Sequence, residues 1–429
     1  MPYIKNVEEL ASNPNRKIVV DLIETAYASI APDQVFKTDF SFADNILTIK
    51  GQTFDLNNFE RVFLVGFGKG SSGICKILEE KLGDKLTEGY DIDVVDETFT
   101  KVEYTKGTHP LPSQENFDYT KKVITKLTGL SEKDFVIIVT CGGGSVLFEK
   151  PHTFTLEHMI SVNKALLASG ATISEMNVIR KHLSQVKGGG LAKILFPATV
   201  VNLIFSDVPG NDLSVIASAP LVKDPTSVKD AIAIFDKYAL EEDQLLSPQD
   251  FIETPKEHQY FENVHNILLV SNLTALTAME KKARSLGYEV VVTTDRQQGD
   301  ARTLGKDLIQ ETPQGQILLA GGESTIKITG HGKGGRNQAL VLAAIPYITE
   351  GTVLASFGSD GWDFYELAGA LADSDTLKKV KEMNLDAKAF LDDDNSYEFW
   401  TKVGDGINTG KQESNVADLY IVLKKKREE

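Results

Sequence analysis

Five short apolar runs in this chain each stop at a turn built from glycine, serine or aspartate. Residues 62–65, 135–140, 199–205, 316–319 and 353–357 are rich in Val, Ile, Leu and Phe. The turns behind them hold Gly66 and Gly68, then Cys141 to Ser145, Ser206 and Asp207, Gly321 to Ser324, and Ser359 to Gly361. Several runs are continuous where a half-exposed strand would alternate, which fits strands covered on both faces. Helical periodicity lies between them. Residues 155–169 space Leu156, Met159, Ile160, Ala165 and Leu166 near the helical period, and 273–286 follows a candidate N-cap, Asn272, and stops at Gly287. This alternation predicts two α/β domains with mostly parallel, Rossmann-like sheets.

Further strands are expected at 92–95, 267–270, 289–293, 325–329 and 418–422, and a small hairpin over 45–55 turning at Lys50-Gly51. The stretch 240–262 is polar, holds Pro248 and Pro255, and lacks periodicity, so it reads as a linker between domains spanning 1–240 and 263–429. No apolar run approaches the ~18 residues of a spanning helix, and the N-terminal MPYIKNVEEL lacks a signal-peptide core. A cytoplasmic protein without membrane partners is expected. Two cysteines, Cys75 and Cys141, exclude a disulfide scaffold or a multi-cysteine zinc site. Forty-five Lys and Arg against 61 Asp and Glu give a net charge of −16, which argues against nucleic acid as a partner. A small phosphate ligand held by a few local cations stays compatible with that charge.

Six constellations carry candidate chemistry. Gly68, Gly70 and Gly73 match G-x-G-x-x-G, which Asp93 or Asp96 could complete as a dinucleotide site. Lys69 inside that turn suits a carboxylate or a transferring phosphate instead; a plain tight turn is the alternative. Gly142, Gly143, Gly144 and Ser145 form an anion nest, with Cys141 as buried filler. In 177–190, a helix would put Asn177, Arg180, Lys181 and Ser184 on one face, followed by Lys187, Gly188 and Gly189; a solvated basic face is the alternative, and His182 reads as structural. Asp207, at the end of a parallel strand, could hold a metal-bound phosphate or act as a base, or simply open a Pro-Gly turn, with Asp212 a weaker candidate. Glu323 precedes a glycine loop that leads to Arg336 and Asn337 at a helix start, a setting suited to an anion. Asp360 and Asp363 at another strand end suit magnesium, or an Asp-Gly turn.

Together these segments resemble the glycerate kinase family with a C-terminal MOFRL domain, the type that makes 2-phosphoglycerate. The resemblance rests on GFGKG (66–70), THPLP (108–112), CGGGS (141–145), NVIRKHLSQVKGGGLA (177–192), SDVPGNDLSVIASAP (206–220), GGESTIKITGHGKGGRNQALVLA (321–343) and SDGWD (359–363). It implies ATP-dependent phosphorylation of D-glycerate, or a close hydroxy acid, in a cleft between two domains. It implies ATP and Mg2+ as cofactors, and a homodimer is one assembly open to it. It makes Lys69 and Arg336 essential, with Asp207 as magnesium ligand or base. ATP phosphates are assigned to Gly142, Gly143, Gly144, Ser145, Ser184, Lys187, Gly188 and Gly189, with Glu323 and Asn337 also on the cofactor side. Gly68, Lys69, Arg180, Arg336 and Asp360 are assigned to substrate, and Asp207 and Asp360 to metal.

Three segments depart from the family pattern. DG-x-DG-x-T becomes Asp360-Gly-Trp-Asp-Phe-Tyr-Glu366, TGPTGTNV becomes Thr409-Gly-Lys-Gln-Glu-Ser-Asn-Val416, and IASGP becomes Ile216-Ala-Ser-Ala219-Pro220. Two rival readings stand beside the kinase: an NAD(P)-dependent hydroxypyruvate reductase, and a non-catalytic binder of nucleotide or organic acid. The kinase reading expects Lys69, Arg180, Lys181, Lys187, Lys333 and Arg336 to make a locally positive cleft in an acidic protein.

Overall fold

The computed structural model describes residues 2–240 and 246–426. The chain folds as two compact units. One contains Phe36–Ser206 and Asn211–Leu269; the other contains the N-terminal segment up to Val35, Asp207–Gly210, and the chain from Val270 onward.

The first unit opens with a three-stranded antiparallel sheet, β1 (Phe40–Ala43), β2 (Ile46–Ile49) and β3 (Gln52–Asp55). The expected hairpin is its second half: Ile49 pairs with Gln52, and Lys50 and Gly51 both take positive φ, as a two-residue turn of that hand requires. The main sheet has β4 (Arg61–Phe67), β5 (Glu88–Asp93), β6 (Val102–Lys106), β7 (Asp134–Thr140), β8 (Thr199–Phe205) and β9 (Val264–Val270) in the order β6-β5-β4-β7-β8-β9. The pairings β6/β5, β5/β4, β4/β7 and β7/β8 are parallel. Every residue of β7 is buried, and so is every residue of β4 beyond Arg61, the burial that continuous apolar runs imply.

The second unit carries a mixed sheet, so the parallel arrangement expected is concentrated in the first unit. Its strands are β10 (Glu289–Val292), β11 (Gln316–Gly322), β12 (Thr352–Gly358), β13 (Gly369–Ala372), β14 (Gly406–Ile407) and β15 (Asp418–Lys424), in the order β10-β11-β15-β12-β13-β14. Only β10/β11 is parallel; β15 runs antiparallel to both β11 and β12, and β13 folds back on β12. Full burial makes a strand apolar on both faces whichever way its neighbours run, so direction leaves no mark in the pattern. The expected strand at 325–329 is a loop. Thr329 N and Gly330 N donate to Asp394 Oδ2 at 2.6 and 2.7 Å, so these N–H groups join no ladder.

The units depart from the expected division at 1–240 and 263–429. Helix Pro14–Ile30 starts at Asn13, whose side chain caps Asn15 N and Arg16 N, and it belongs with the mixed sheet. Fully buried Arg16 reaches Asp373 at 2.7 Å and Asp405 at 2.8 Å, a buried charge that needs such partners. The expected linker is packed structure where it is described. Residues 241–245 lie outside the described residues, but Leu246 and Phe251 are buried in a cluster with Leu183 and Phe235. The helix expected after Asn272 spans Asn272–Ser285 and is capped by Ser271. Among the described residues no helix is long and apolar enough to cross a membrane.

Candidate active site

In the parallel-sheet unit, the turns after β4 and β7 are joined edge to edge. Lys69 N donates to Gly142 O at 2.8 Å and Cys141 N to Phe67 O at 3.1 Å. Gly68 has φ +117°, and a Cβ there would lie 2.5 Å from the Cys141 carbonyl oxygen, so only glycine permits this contact. Gly143, at φ +78°, precedes the short helix Gly144–Leu147. The N–H groups of Gly142 and Gly143 donate to no acceptor among the described residues, leaving the nest open. Beside it, half-buried Lys69 makes no ion pair among the described residues. Cys141 is buried, as expected.

The dinucleotide fingerprint is already occupied by the chain itself. Asp93, fully buried at the end of β5, accepts from Gly70 N at 2.9 Å, Ser72 N at 3.2 Å and Ser72 Oγ at 2.8 Å. A pyrophosphate would need those same N–H groups. Asp96, the other acidic candidate, instead pairs with Lys106 at the surface.

A second ring of side chains surrounds Ser145. Its hydroxyl shares a 2.9 Å hydrogen bond with Ser218 Oγ, which in turn donates to Asn177 Oδ1 at 3.2 Å. Ala217, Ser218 and Ala219 all have positive φ, at 48°, 60° and 57°, a costly run for residues with a Cβ. It is held because Gly188 N and Gly189 N donate to the carbonyls of Ser218 and Ala219 at 3.0 and 2.8 Å. This corrects the phosphate role expected of Gly188 and Gly189: their N–H groups are spent inside the protein. Lys187 and Ser184 are likewise buried, Lys187 against Glu149 and Ser184 donating to Glu149 Oε1 at 2.6 Å. Burial pushes the Lys187 ammonium down to about 7, against the pull of that carboxylate. Arg180 lines a small cavity with Ser145, Glu149, Asn163 and Lys187, and its Nε donates to Asn163 Oδ1 at 2.9 Å. Lys181 does not share that surroundings, because it turns to buried Asp224 at 3.3 Å. His182 is fully buried with Nδ1 on the Val178 carbonyl at 2.9 Å, a structural histidine.

In the mixed-sheet unit, helix Arg336–Ala344 begins against β15. Arg336 Nε and Nη2 hold Asp418 at 2.7 and 3.2 Å, and Nη1 holds Glu323 at 2.6 Å. Burial disfavours the charged guanidinium, but the two carboxylates outweigh it and keep it protonated throughout the working range. The helix start expected to bind an anion carries one of the chain's own. Buried Asp363 accepts from Asn337 N at 3.3 Å and Gln338 N at 2.9 Å, and burial pushes its carboxyl up to about 7. Asn337 is held at both ends of its amide: Nδ2 donates to Asp418 at 2.9 Å and to Asp363 at 3.4 Å, and Oδ1 accepts from Ser356 Oγ at 2.5 Å. The cofactor contact expected of Asn337 is therefore corrected to a structural one. Glu323 likewise serves Arg336, and Lys333 lies over the Tyr365 ring at 5.8 Å. Asp360 Oδ1 accepts from Trp362 N at 3.1 Å, turning its own loop. Asp207 sits half-buried just beyond the end of β8. The expected pool of free cations is thus smaller: Lys181, Lys187 and Arg336 are each matched by carboxylates, whereas Lys69 is not.

Sequence reading missed Asp93 as a loop cap, Asp363 as a helix cap, and Glu149 and Asp418 as counter-ions. Acidic residues near glycine turns were the available signal, but it does not tell an inward cap from an outward ligand.

Residues 18–250 match the family model described as "Domain of unknown function (DUF4147)", and residues 316–418 match the MOFRL family. The chain is 33% identical to the D-glycerate 2-kinase of Thermotoga maritima, over 95% of this chain and 98% of that one. It is 32% identical to the glycerate 2-kinase of Pyrococcus horikoshii, over 95% and 97%. The crystal structure of glycerate kinase from Thermotoga maritima superposes with a TM-score of 0.85 at 32% identity, covering 95% of this chain and 99% of that one. With both domain models matched and relatives aligned nearly end to end, the chain belongs to the glycerate 2-kinase family that carries a C-terminal MOFRL domain.

Proposed function

We propose that this chain is an ATP-dependent kinase that phosphorylates D-glycerate, giving 2-phosphoglycerate. The observation that carries the reading is the open glycine nest of Gly142 and Gly143 with the unpaired ammonium of Lys69 beside it, in a chain aligned nearly end to end with glycerate 2-kinases. An oxygen of the acceptor attacks the γ-phosphorus, its proton leaves, and the bond to the bridging oxygen of ADP breaks. Such a transfer needs positioning and charge neutralisation more than covalent help. Lys69 supplies a positive charge not spent on a carboxylate among the described residues, and the nest supplies N–H donors. Arg336, rigid in its carboxylate clamp, is the second proposed cation for substrate. Arg180 is the proposed polar contact to the acceptor, and Ser145, which lines the same cavity, to the nucleotide phosphates.

Among the described residues no group of three His, Cys, Asp or Glu side chains could hold a metal ion. Magnesium delivered with the nucleotide is bound largely by phosphates and needs one or two carboxylates from the protein. Asp207 and Asp360, each two residues beyond the end of a strand, are the proposed carboxylates. When bound, the ion would neutralise phosphate charge.

The reductase alternative asks for a pyrophosphate at Gly70 and Ser72, where Asp93 already sits. ADP release is measured with D-glycerate, ATP and magnesium, beside NADH oxidation with hydroxypyruvate. ADP and 2-phosphoglycerate are the expected products. NADH oxidation without ADP formation overturns the kinase reading.

A further inference from the structure

The Thr-His-Pro-Leu-Pro segment at 108–112 has no task in the chemistry above, yet it is built as carefully as the glycine loops. Fully buried Asn116 accepts from Thr108 N at 3.0 Å and Ser113 Oγ at 3.1 Å, and donates to Thr108 O at 3.0 Å and Val146 O at 3.1 Å. Gly107 N donates to Asp93 O at 2.8 Å, and Thr108 Oγ1 donates to Leu111 O at 2.7 Å. One buried amide thus ties this loop to the chain just past the CGGGS nest, and the Gly107 bond ties it to β5.

The residue so held is His109. A Cβ placed on Gly143 would lie 3.2 Å from His109 Nε2 and 3.4 Å from Lys69 Cε, so the imidazole and the lysine flank the same glycine. Neither ring nitrogen is hydrogen-bonded among the described residues, and the side chain is exposed. Lys69 is the charged group that faces the ring, and Gly142 to Gly144 bring none. An imidazole with free nitrogens, carried on a hydrogen-bonded loop at the ends of parallel strands and beside an open anion nest, is equipped to exchange a proton with a ligand.

We infer that His109 is the general base that removes the proton from the acceptor hydroxyl during phosphoryl transfer. This inference rests on the kinase reading. The acceptor O–H bond breaks and its proton passes to Nε2, giving the imidazolium. The oxygen forms its bond to the γ-phosphorus as the bond to ADP breaks, and the imidazolium returns the proton to water after product leaves. Although the residue reaches solvent, partial desolvation of the ring and then the Lys69 charge push the imidazole below its usual 6.5, so the ring is neutral and receptive at pH 7. The rate should therefore fall on the acid side, as pH drops through that lowered value.

The test compares the parent with His109→Gln and His109→Ala, using coupled ADP release over a pH series. We expect kcat to fall by about 10²- to 10⁴-fold, KM for D-glycerate to stay within a few-fold, and the acid limb to vanish from the pH profile. An unchanged thermal melt would confirm that both variants fold. A kcat within about threefold of the parent, a KM effect without a kcat effect, or an acid limb retained in His109→Gln would each overturn the assignment. No ADP from the parent would overturn the kinase reading and the base together, whereas an active parent with unaffected variants overturns His109 alone.

Discussion

Replacing Lys69 by methionine separates a functional cation from a structural one. The side chain is half-buried and carries no ion pair among the described residues, so its removal strands no carboxylate. A unit charge about 4 Å from the transferring phosphoryl group, at an effective dielectric near 20, contributes about 4 kcal/mol. If that energy is realised only in the transition state, kcat falls by about a thousandfold. The melting temperature should stay where it is, because methionine keeps most of the aliphatic stem. A second signature follows from the same geometry. Lys69 is one of the two causes that lower the His109 imidazole, so its loss should move the acid limb of the residual activity toward higher pH. The assay is coupled ADP release with saturating ATP and D-glycerate, with a thermal melt on the same preparation. A kcat within tenfold of the parent, or a loss of rate matched by a loss of melting temperature, refutes the reasoning.

Arg336→Met should behave in the opposite way with respect to stability. It leaves buried Asp418 without its cation, which costs about 3–5 kcal/mol, so both turnover and the thermal melt should fall; an unchanged melt would overturn the clamp. Asp91 gives a pH test. Burial first, and then Asp93, push its carboxyl from 3.8 to about 7 despite the Ser71 hydrogen bond. The folded state therefore binds the proton more tightly than the unfolded chain, so this stabilisation is complete below about pH 4 and lost as pH rises through about 7. Asp91→Asn should shrink the drop in melting temperature between about pH 5 and pH 8; an equal drop in both proteins would sink the argument.

The strand and turn positions were readable because buried parallel strands are written as unbroken apolar runs and their exits as glycine. The runs at 135–140 and 199–205 became β7 and β8 nearly residue for residue. Strand direction was not readable: β15 is apolar because both faces are covered, and the same residues would suit either orientation. Nor was the place of helix Pro14–Ile30, since the partners of Arg16, Asp373 and Asp405, come from the far end of the chain. Around the candidate site, the glycine turns that carry Lys69 and the CGGGS segment were legible from spacing alone. The roles of Lys187, Gly188, Gly189 and Asn337 were not, because a polar group near a glycine turn looks the same whether it faces a ligand or an internal partner. Only long-range contacts, such as those of Glu149, Ser218 and Asp418, tell the two apart.

The segments 360–366 and 409–416 meet each other backbone to backbone. Gln412 N donates to the Asp360 carbonyl at 2.7 Å, a Cβ on Gly361 would lie 2.0 Å from the Gly410 carbonyl oxygen, and Lys411 stacks 4.8 Å over the Trp362 ring. They are therefore one heritable character rather than two. A residue exchanged in either segment therefore changes what the other must accommodate. Transplanting only one of them between family members would import a mismatch.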